Sequence, residues 1–384
     1  MHRLLHLKGA WPYLIAIFLN AFVDLGHKIV IQNTIFKSYD GEAQVVLTAL
    51  VNGLILLPFI LLFSPAGHVA DSYPKVRILR TSAWAAVVVS LGITAAYYQG
   101  WFWLAFFMTL LLAIQSAFYS PAKYGLVKGL FGKPRLAEAN GLIQAVTIGA
   151  ILAGTVAFTA LFETWVLPED QTPAQLLRQI APLGWLLVIN SAIQVVTLYR
   201  LPLDASNRSE TPLTWQRYIK GAALKDNLRI IAHQPVIRLS IIGLATFWSV
   251  GQVLLAAFPA YAKDALSIDN TLVLQGILAA SGIGIALGSL FASKLSHNRI
   301  ETGLIPVGAI GVAVGLWCLP LLTTPVGQAL NFVFIGIMGG LFIVPLNALI
   351  QFHADDNELG TVLAANNWIQ NIAMLGFLVL TALF

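Results

Sequence analysis

The sequence predicts an all-α polytopic membrane protein, and three observations carry that prediction. Of the 384 residues, 58% are hydrophobic and only 10% are charged, whereas a soluble domain carries about 25% charged residues. The mean hydropathy is +0.79. Eleven apolar runs are each long enough to cross a bilayer, which takes roughly 20 residues. These features exclude a soluble, disordered or disulfide-rich secreted protein, and the single cysteine, Cys318, has no partner for an internal disulfide.

The first apolar run follows Arg3 and Lys8, which is how a signal peptide also begins. The run is too long for a signal peptide and has no clear small-residue cleavage site. We therefore predict that it is the first transmembrane helix. The eleven predicted spans are residues 10–33, 44–67, 77–98, 101–126, 139–162, 181–201, 236–260, 271–293, 302–322, 327–351 and 361–384.

Lysine and arginine placement predicts the orientation of the chain. With the N-terminus in the cytoplasm, most of the 22 Lys and Arg residues fall in inner loops. The net charge of +5 then comes mainly from basic residues in loops that face the inner surface of the membrane. We therefore expect no nucleic-acid partner. The long inner loop 202–235 separates an N-terminal six-helix half, 1–201, from a C-terminal half, 236–384, with five spans. We expect that a twelfth helix is missing from this chain, which stops in an apolar run at Phe384.

The connection after the second span carries a recognisable arrangement of charges. Gly67 is followed four residues later by Asp71, and basic residues such as Arg77 open the next helix. This pattern resembles the inner loop of the major facilitator superfamily, although an ordinary positively charged inner loop is the alternative. The resemblance implies a clamp between two halves, with the aspartate near a helix N-terminus. It also implies gating roles for Asp71 and Arg77; a gating role for Arg238 is implied by the narrower likeness described below.

Span one carries polar residues that are costly in lipid. Asn20, Asp24, Lys28 and Gln32 recur every four residues and share one helix face. A charged side chain at mid-span costs roughly 2.5–3.5 kcal/mol. Asp24 and Lys28 either neutralise each other as an ion pair that tethers helices, or they line a water-accessible cavity. His27 faces either lipid headgroups or that cavity.

Further polar residues recur at helical spacing in spans four, five, seven and eleven. One amide in a helix bundle is more often an interhelical contact than a ligand. Polar stripes in several spans favour a shared central cavity. We therefore expect the substrate-binding residues to be Asn20, Asp24, Lys28, Tyr119, Lys123, Asn140, Gln144, Arg238, Gln252, Asn367 and Gln370.

Four segments carry a narrower likeness. Residues 22–28, 119–125, 138–142 and 367–375 resemble the bacterial lysophospholipid transporter (LplT) family of the major facilitator superfamily. The likeness extends over essentially the whole chain, and the run Tyr-Ser-Pro-Ala-Lys-Tyr-Gly at 119–125 is its most specific part. It implies a major facilitator fold of two six-helix halves. It also implies a flippase that moves lysophosphatidylethanolamine and lysophosphatidylglycerol from the outer to the inner leaflet of the bacterial inner membrane.

The same resemblance bears on individual residues and partners. By position, Asp24, Lys123 and Arg238 match charged residues that the family uses in its cavity and at its cytoplasmic gate. Gln144 and Gln370 stand where many members have glutamate. The first segment is closer to members fused ahead of acyltransferase and acyl-carrier-protein synthetase domains. The implied partners are the lysophospholipid, membrane lipids and a fused or associated acyltransferase that restores the second chain.

The sequence motifs do not support an enzyme. Residues 120–123 match Ser-x-x-Lys, but its companion motifs are absent. No phosphate-binding Gly-x-x-x-x-Gly-Lys-Ser/Thr run occurs, and we expect no cofactor, no metal and no catalytic residue. Two alternatives stay open: a proton-coupled multidrug or metabolite antiporter with Asp24 as proton carrier, and a non-transporting membrane scaffold for an acyltransferase.

Overall fold

The structure is a computed structural model of the chain. It describes residues 2–7, 9–39, 41–166, 172–202, 229, 234–266, 271–296, 299–356 and 358–383. Most of the central loop that we predicted at 202–235 lies outside these residues. The division of the chain at that loop therefore stays a prediction.

The first half of the chain is helical wherever the structure describes it, apart from short connections. A 3-10 turn at Lys133–Arg135 joins two of its long helices. Its α-helices are α1 (His2–Leu5), α2 (Ala10–Ser38), α3 (Gly41–Leu61), α4 (Phe63–Ser72), α5 (Lys75–Gln99), α6 (Phe102–Phe131), α7 (Leu136–Trp165), α8 (Pro173–Gln179) and α9 (Leu183–Tyr199).

The second half continues in the same way after the central loop. Its described α-helices are α10 (Pro235–Leu266), α11 (Thr271–Leu295), α12 (Leu304–Cys318), α13 (Pro325–His353) and α14 (Leu359–Leu383). Within the described residues, nine helices are long and apolar enough to cross a membrane, or eleven if each of two bent pairs is one span. This confirms the predicted all-α polytopic membrane fold.

The predicted second span is not one straight helix. It is broken at Leu62, and the two parts, α3 and α4, meet at 54°. Pro65 explains the break, because proline has no N–H to donate to the carbonyl four residues earlier and its ring clashes there. The predicted sixth span, 181–201, corresponds to α9, and the short helix α8 that precedes it meets α9 at 58°. The break after α3 carries Asp71 away from the line of the span.

Glycines allow the helices of the second half to touch through their backbones. A Cβ on Gly336 of α13 would lie 2.7 Å from the amide nitrogen of Ile285 in α11. A Cβ on Gly340 would lie 2.6 Å from the carbonyl carbon of Gly288. Close approach of this kind is the usual way in which helices associate in lipid, where no hydrophobic force favours their contact. The backbones of α11 and α13 are therefore in direct contact.

Candidate functional site

Five polar side chains from three helices of the first half form a connected network, here called the polar cluster: Asn20 and Asp24 of α2, Gln115 and Ser116 of α6, and Gln194 of α9. The Asp24 carboxylate accepts hydrogen bonds from the Asn20 amide at 3.0 Å and from the Ser116 hydroxyl. The Asn20 carbonyl oxygen accepts from the Gln115 and Gln194 amides, each at 3.2 Å. The cluster places one carboxylate among oriented amides inside the bundle.

Tyr119 and Lys123 extend the same face of α6 by one and two further turns. Lys123 interacts electrostatically with Asp24, and its ammonium lies 4.4 Å from the centre of the Tyr124 ring. Tyr119 is buried beside Gln194. The site therefore combines a carboxylate, a cation and an aromatic surface.

Lys28 does not pair with Asp24, and the interpretation of these residues as a self-neutralised ion pair is wrong. The Asp24 carboxylate is turned to Asn20 and Ser116 instead. In the described part of the chain, the half-buried Lys28 ammonium has no hydrogen bond or ion pair. An uncompensated cation inside a span is costly.

His27 forms hydrogen bonds to two neighbouring helices. It is fully buried, with Nδ1 at 2.8 Å from the Tyr97 hydroxyl and Nε2 at 3.0 Å from the Ala105 carbonyl oxygen. A carbonyl only accepts, so Nε2 carries the proton and the Tyr97 hydroxyl donates to Nδ1. His27 therefore ties α2 to α5 and α6 and faces neither headgroups nor a cavity.

At one end of the bundle, α4 of the first half meets α14 of the second. Asp71 is buried, and its carboxylate accepts hydrogen bonds from the Gly360 amide at 2.7 Å and the Thr361 amide at 2.9 Å. The Thr361 hydroxyl also donates to Asp71 at 2.7 Å. These amides belong to the first turn of α14, whose N–H groups have no partners within the helix. Asp71 thus caps a helix of the other half.

Two further contacts close the same end of the bundle. Asn140 of α7 and Gln351 of α13 exchange hydrogen bonds at 2.9 Å in both directions, and both are buried. Lys128 of α6 forms an ion pair with Asp356 at 2.5 Å and donates to the Ala354 carbonyl oxygen at 3.1 Å. Asn140, expected to contact substrate, is therefore used in joining the halves in this conformation.

The remaining predicted residues of the second half lie apart from the polar cluster. Gln252 lines a cavity of about 120 Å³ together with Trp248 of the same helix. Asn367 of α14 reaches across to the first half and donates to the Ser120 hydroxyl at 2.9 Å. Gln370 donates to Asn366 one turn earlier, at 2.7 Å.

Three residues that we expected to bind substrate or to act in gating lie in other surroundings. Gln144 is buried one turn beyond Asn140, and its amide forms no hydrogen bond within the described residues. Arg238 is exposed in the first turn of α10. Arg77 is exposed near the start of α5 and takes no part in the Asp71 cap. The structure does not bring Arg77 or Arg238 to the polar cluster.

Sequence reasoning missed several residues that complete these contacts. Ser116, Gln194, Gln351 and Thr361 all supply hydrogen bonds described above. Gln194 and Gln351 lie inside predicted transmembrane spans. A polar amide in such a span could have been recognised as a sign of a contact between helices. The partner of an isolated amide depends on how distant helices pack, and spacing along one helix does not predict it.

Known proteins resemble this chain over most of its length. Residues 13–377 match the Major Facilitator Superfamily. The chain is 30% identical over 374 residues to the lysophospholipid transporter LplT of Enterobacter sp. (strain 638), with 96% of this chain and 86% of that protein covered. It is 30% identical to LplT of Serratia proteamaculans (strain 568), with 84% and 74% covered. For LplT of Escherichia coli (strain SE11), the identity is 29%, with 96% and 86% covered.

Solved structures share the fold. The fucose:proton symporter FucP of E. coli superposes with a TM-score of 0.75 at 11% identity, covering 98% of this chain and 93% of that one. A bacterial homologue of the iron transporter ferroportin, solved in an outward-facing state, gives a TM-score of 0.71 at 12% identity, covering 98% and 92%. These similarities establish the architecture alone.

Proposed function

The chain belongs to the lysophospholipid transporter family of the major facilitator superfamily, and from this premise we propose that it moves lysophosphatidylethanolamine and lysophosphatidylglycerol from the outer to the inner leaflet. It is a bacterial inner-membrane transporter and not an enzyme. The proposal includes alternating access, a cytoplasmic N-terminus and reacylation of the product by a fused or associated acyltransferase.

The observation that carries the proposal is the polar cluster beside Lys123. A lysophospholipid headgroup brings a phosphate and, in the ethanolamine form, an ammonium. Asp24 accepts hydrogen bonds and interacts electrostatically with Lys123, so the site offers an acceptor for the ammonium and a cation for the phosphate. Charge-assisted hydrogen bonds of this kind are roughly twice as strong as neutral ones.

Lys28 supplies a second position for the phosphate. It lies one helical turn, about 6 Å, from Asp24 along α2, on the side away from the Asp71 end of the bundle. It has no partner among the described residues. A phosphate that arrives from the outer leaflet meets Lys28 first and passes to Lys123, so that the anion stays paired while it crosses the bundle.

The contacts between the halves support alternating access. Asp71, Asn140 and Lys128 all bond to the second half at one end of the bundle. All three contacts are polar, and water or headgroups can replace polar partners when the halves separate. These polar contacts can therefore break and re-form as this end opens and closes.

The test uses proteoliposomes that contain the purified protein and fluorescent lysophosphatidylethanolamine, with leaflet crossing measured by dithionite quenching. We expect Asp24→Asn and Lys123→Ala to reduce the crossing rate at least ten-fold, and Lys28→Gln to reduce it for both headgroups. Lys133→Gln removes an exposed cation and is the matched control, expected to leave the rate unchanged. Normal crossing by Asp24→Asn and Lys123→Ala together would contradict the assignment.

The same vesicles separate the alternative functions. Crossing without an imposed proton or sodium gradient supports a facilitated flippase in which Asp24 binds the headgroup. Crossing only with a proton gradient makes Asp24 a coupling residue. Uptake of soluble cations in exchange for protons, with no lipid crossing, would replace the proposal with an antiporter. No transport of either substrate, with retained binding of an acyltransferase, would replace it with a scaffold.

A further inference from the structure

A groove of about 460 Å³ lies on the outside of the first half, between α4, α5 and α6. Most of its wall is aliphatic or aromatic. Thr81 and Ala85 on its rim are exposed, so the groove opens sideways and not into the bundle. The apolar wall includes Val69, Ile78, Ala85, Val89, Leu111 and Ile114.

The groove has the length of one leaflet. Along α5 it extends from Arg77 to Val89, which is twelve residues or about 18 Å at 1.5 Å per residue. Half of a bilayer's hydrocarbon core is about 15 Å thick. Arg77 lies only two residues after the start of α5, so one end of the groove is at the polar boundary and the other is near mid-membrane.

Polar groups are concentrated at the boundary end. Tyr73, Arg77 and Thr81 line it there. Tyrosine at this depth is typical of the headgroup region. The one amide in the deeper wall, Gln115, donates to Asn20, so the polar cluster already uses it. The deep part of the groove therefore offers an apolar surface alone.

Arg77 and Arg80, three residues apart on α5, differ in whether their guanidinium groups have partners. The Arg80 guanidinium donates to the carbonyl oxygens of Leu198 at 3.1 Å and Leu201 at 2.7 Å, and lies 4.6 Å from the centre of the Tyr199 ring. It is fully engaged with the end of α9. In the part of the chain that the structure describes, the Arg77 guanidinium has no hydrogen bond or ion pair.

We propose that this groove binds a diacyl phospholipid of the surrounding bilayer, with one acyl chain between α5 and α6 and the phosphate paired with Arg77. The planar guanidinium matches a phosphate in a bidentate way. The bilayer supplies diacyl lipid at far higher concentration than any lysolipid, and mass action favours it. Gln115 belongs to the polar cluster and also lines the groove, but its amide donates to Asn20 and not into the groove. The lipid site therefore lies outside the proposed transport site and does not depend on the proposed function.

The experiment uses the full chain in nanodiscs that contain phosphatidylglycerol with a diazirine in one acyl chain. After irradiation, labelled peptides are identified by mass spectrometry. We expect labelling within residues 78–89 and 111–118. Arg77→Gln removes the phosphate partner, and Ala85→Trp fills the groove; each should reduce this labelling at least five-fold. Both positions are exposed, so the variants should fold, which elution as a single species in size-exclusion chromatography checks.

Two matched variants control for charge and bulk. Lys133→Gln removes one exposed cation, and Ala309→Trp adds an indole to an exposed site on α12; neither should change labelling of the groove. Equal labelling by a diazirine diacylglycerol, which has no phosphate, or no effect of Arg77→Gln would overturn the proposal and leave only non-specific boundary lipid. Stronger labelling by a lysophosphatidylglycerol probe at equal concentration would overturn it in favour of the transported lipid.

Discussion

Thr361 donates two hydrogen bonds to Asp71, one from its backbone amide at 2.9 Å and one from its hydroxyl at 2.7 Å. The two residues belong to different halves of the chain. Asp71 of α4 therefore caps α14 and, by the same hydrogen bonds, holds the two halves together at this end of the bundle. The negative carboxylate at the first turn of α14 is also favoured by the helix dipole.

Loss of the Asp71 charge should weaken the closed end. In Asp71→Asn, one oxygen can still accept, but the second acceptor and the charge are lost. Capping and dipole effects are each worth about 1 kcal/mol, so loss of one lowers the equilibrium constant for closing roughly five-fold and loss of both roughly thirty-fold. Spin labels at positions 133 and 299, on a Cys318→Ser background, would report this as a longer distance. Thr361→Val keeps both backbone bonds and should give a smaller change; equal distances in all three proteins would refute the cap.

The Asn140–Gln351 pair should behave as a coupled unit. Asn140→Leu or Gln351→Leu alone leaves a buried amide unsatisfied, which costs about 1–3 kcal/mol. The double variant Asn140→Leu/Gln351→Leu removes both amides and should recover part of that loss. Thermal unfolding of the four proteins in one detergent forms the cycle. Additive losses in the double variant would show that the two amides do not interact.

The Lys128–Asp356 ion pair predicts a pH dependence. The hydrogen bond from Lys128 lowers the pKa of Asp356, so this pair stabilises the closed end above the ordinary carboxyl pKa of about 3.9. The contribution is lost as the pH falls through the lowered value. Asp356 is 60% exposed, so the effect should be small. The difference in unfolding temperature between the native protein and Asp356→Asn should be constant from pH 8 to 5 and shrink below pH 4; a difference that grows in acid would contradict the pairing.

Gly67 should not accept a side chain without separation of the halves. A Cβ there would lie 2.8 Å from the Thr361 Cα and 3.1 Å from the Ala364 Cβ, both in α14. Gly67→Ala should therefore shift the protein away from the closed end, measured with the same pair of spin labels. Gly129→Ala is the control, because a Cβ at Gly129 meets nothing within 4 Å. An unchanged distance in Gly67→Ala would mean that α4 and α14 can move apart at no cost.

The sequence alone was sufficient for the fold and for the helices that carry the polar residues, because hydropathy and helical spacing are local properties. The family resemblance carried by residues 67–77 also implied that Asp71 lies near a helix N-terminus. The sequence did not predict which side chains form hydrogen bonds or ion pairs with each other. Asp24 and Lys28 have the right spacing for an ion pair, yet the Asp24 carboxylate turns to Ser116, which is 92 residues away. Which side chain fills that position depends on how α2 and α6 pack.

All five members of the polar cluster come from the first half, and this asymmetry has a mechanical consequence. If the halves rock as rigid bodies, the distances among Asn20, Asp24 and Gln194 stay the same in every state. A headgroup held there then keeps one set of partners throughout a cycle, while the second half changes only what surrounds it. Affinity for the headgroup is in that case set by one half, and the direction of release is set by the other.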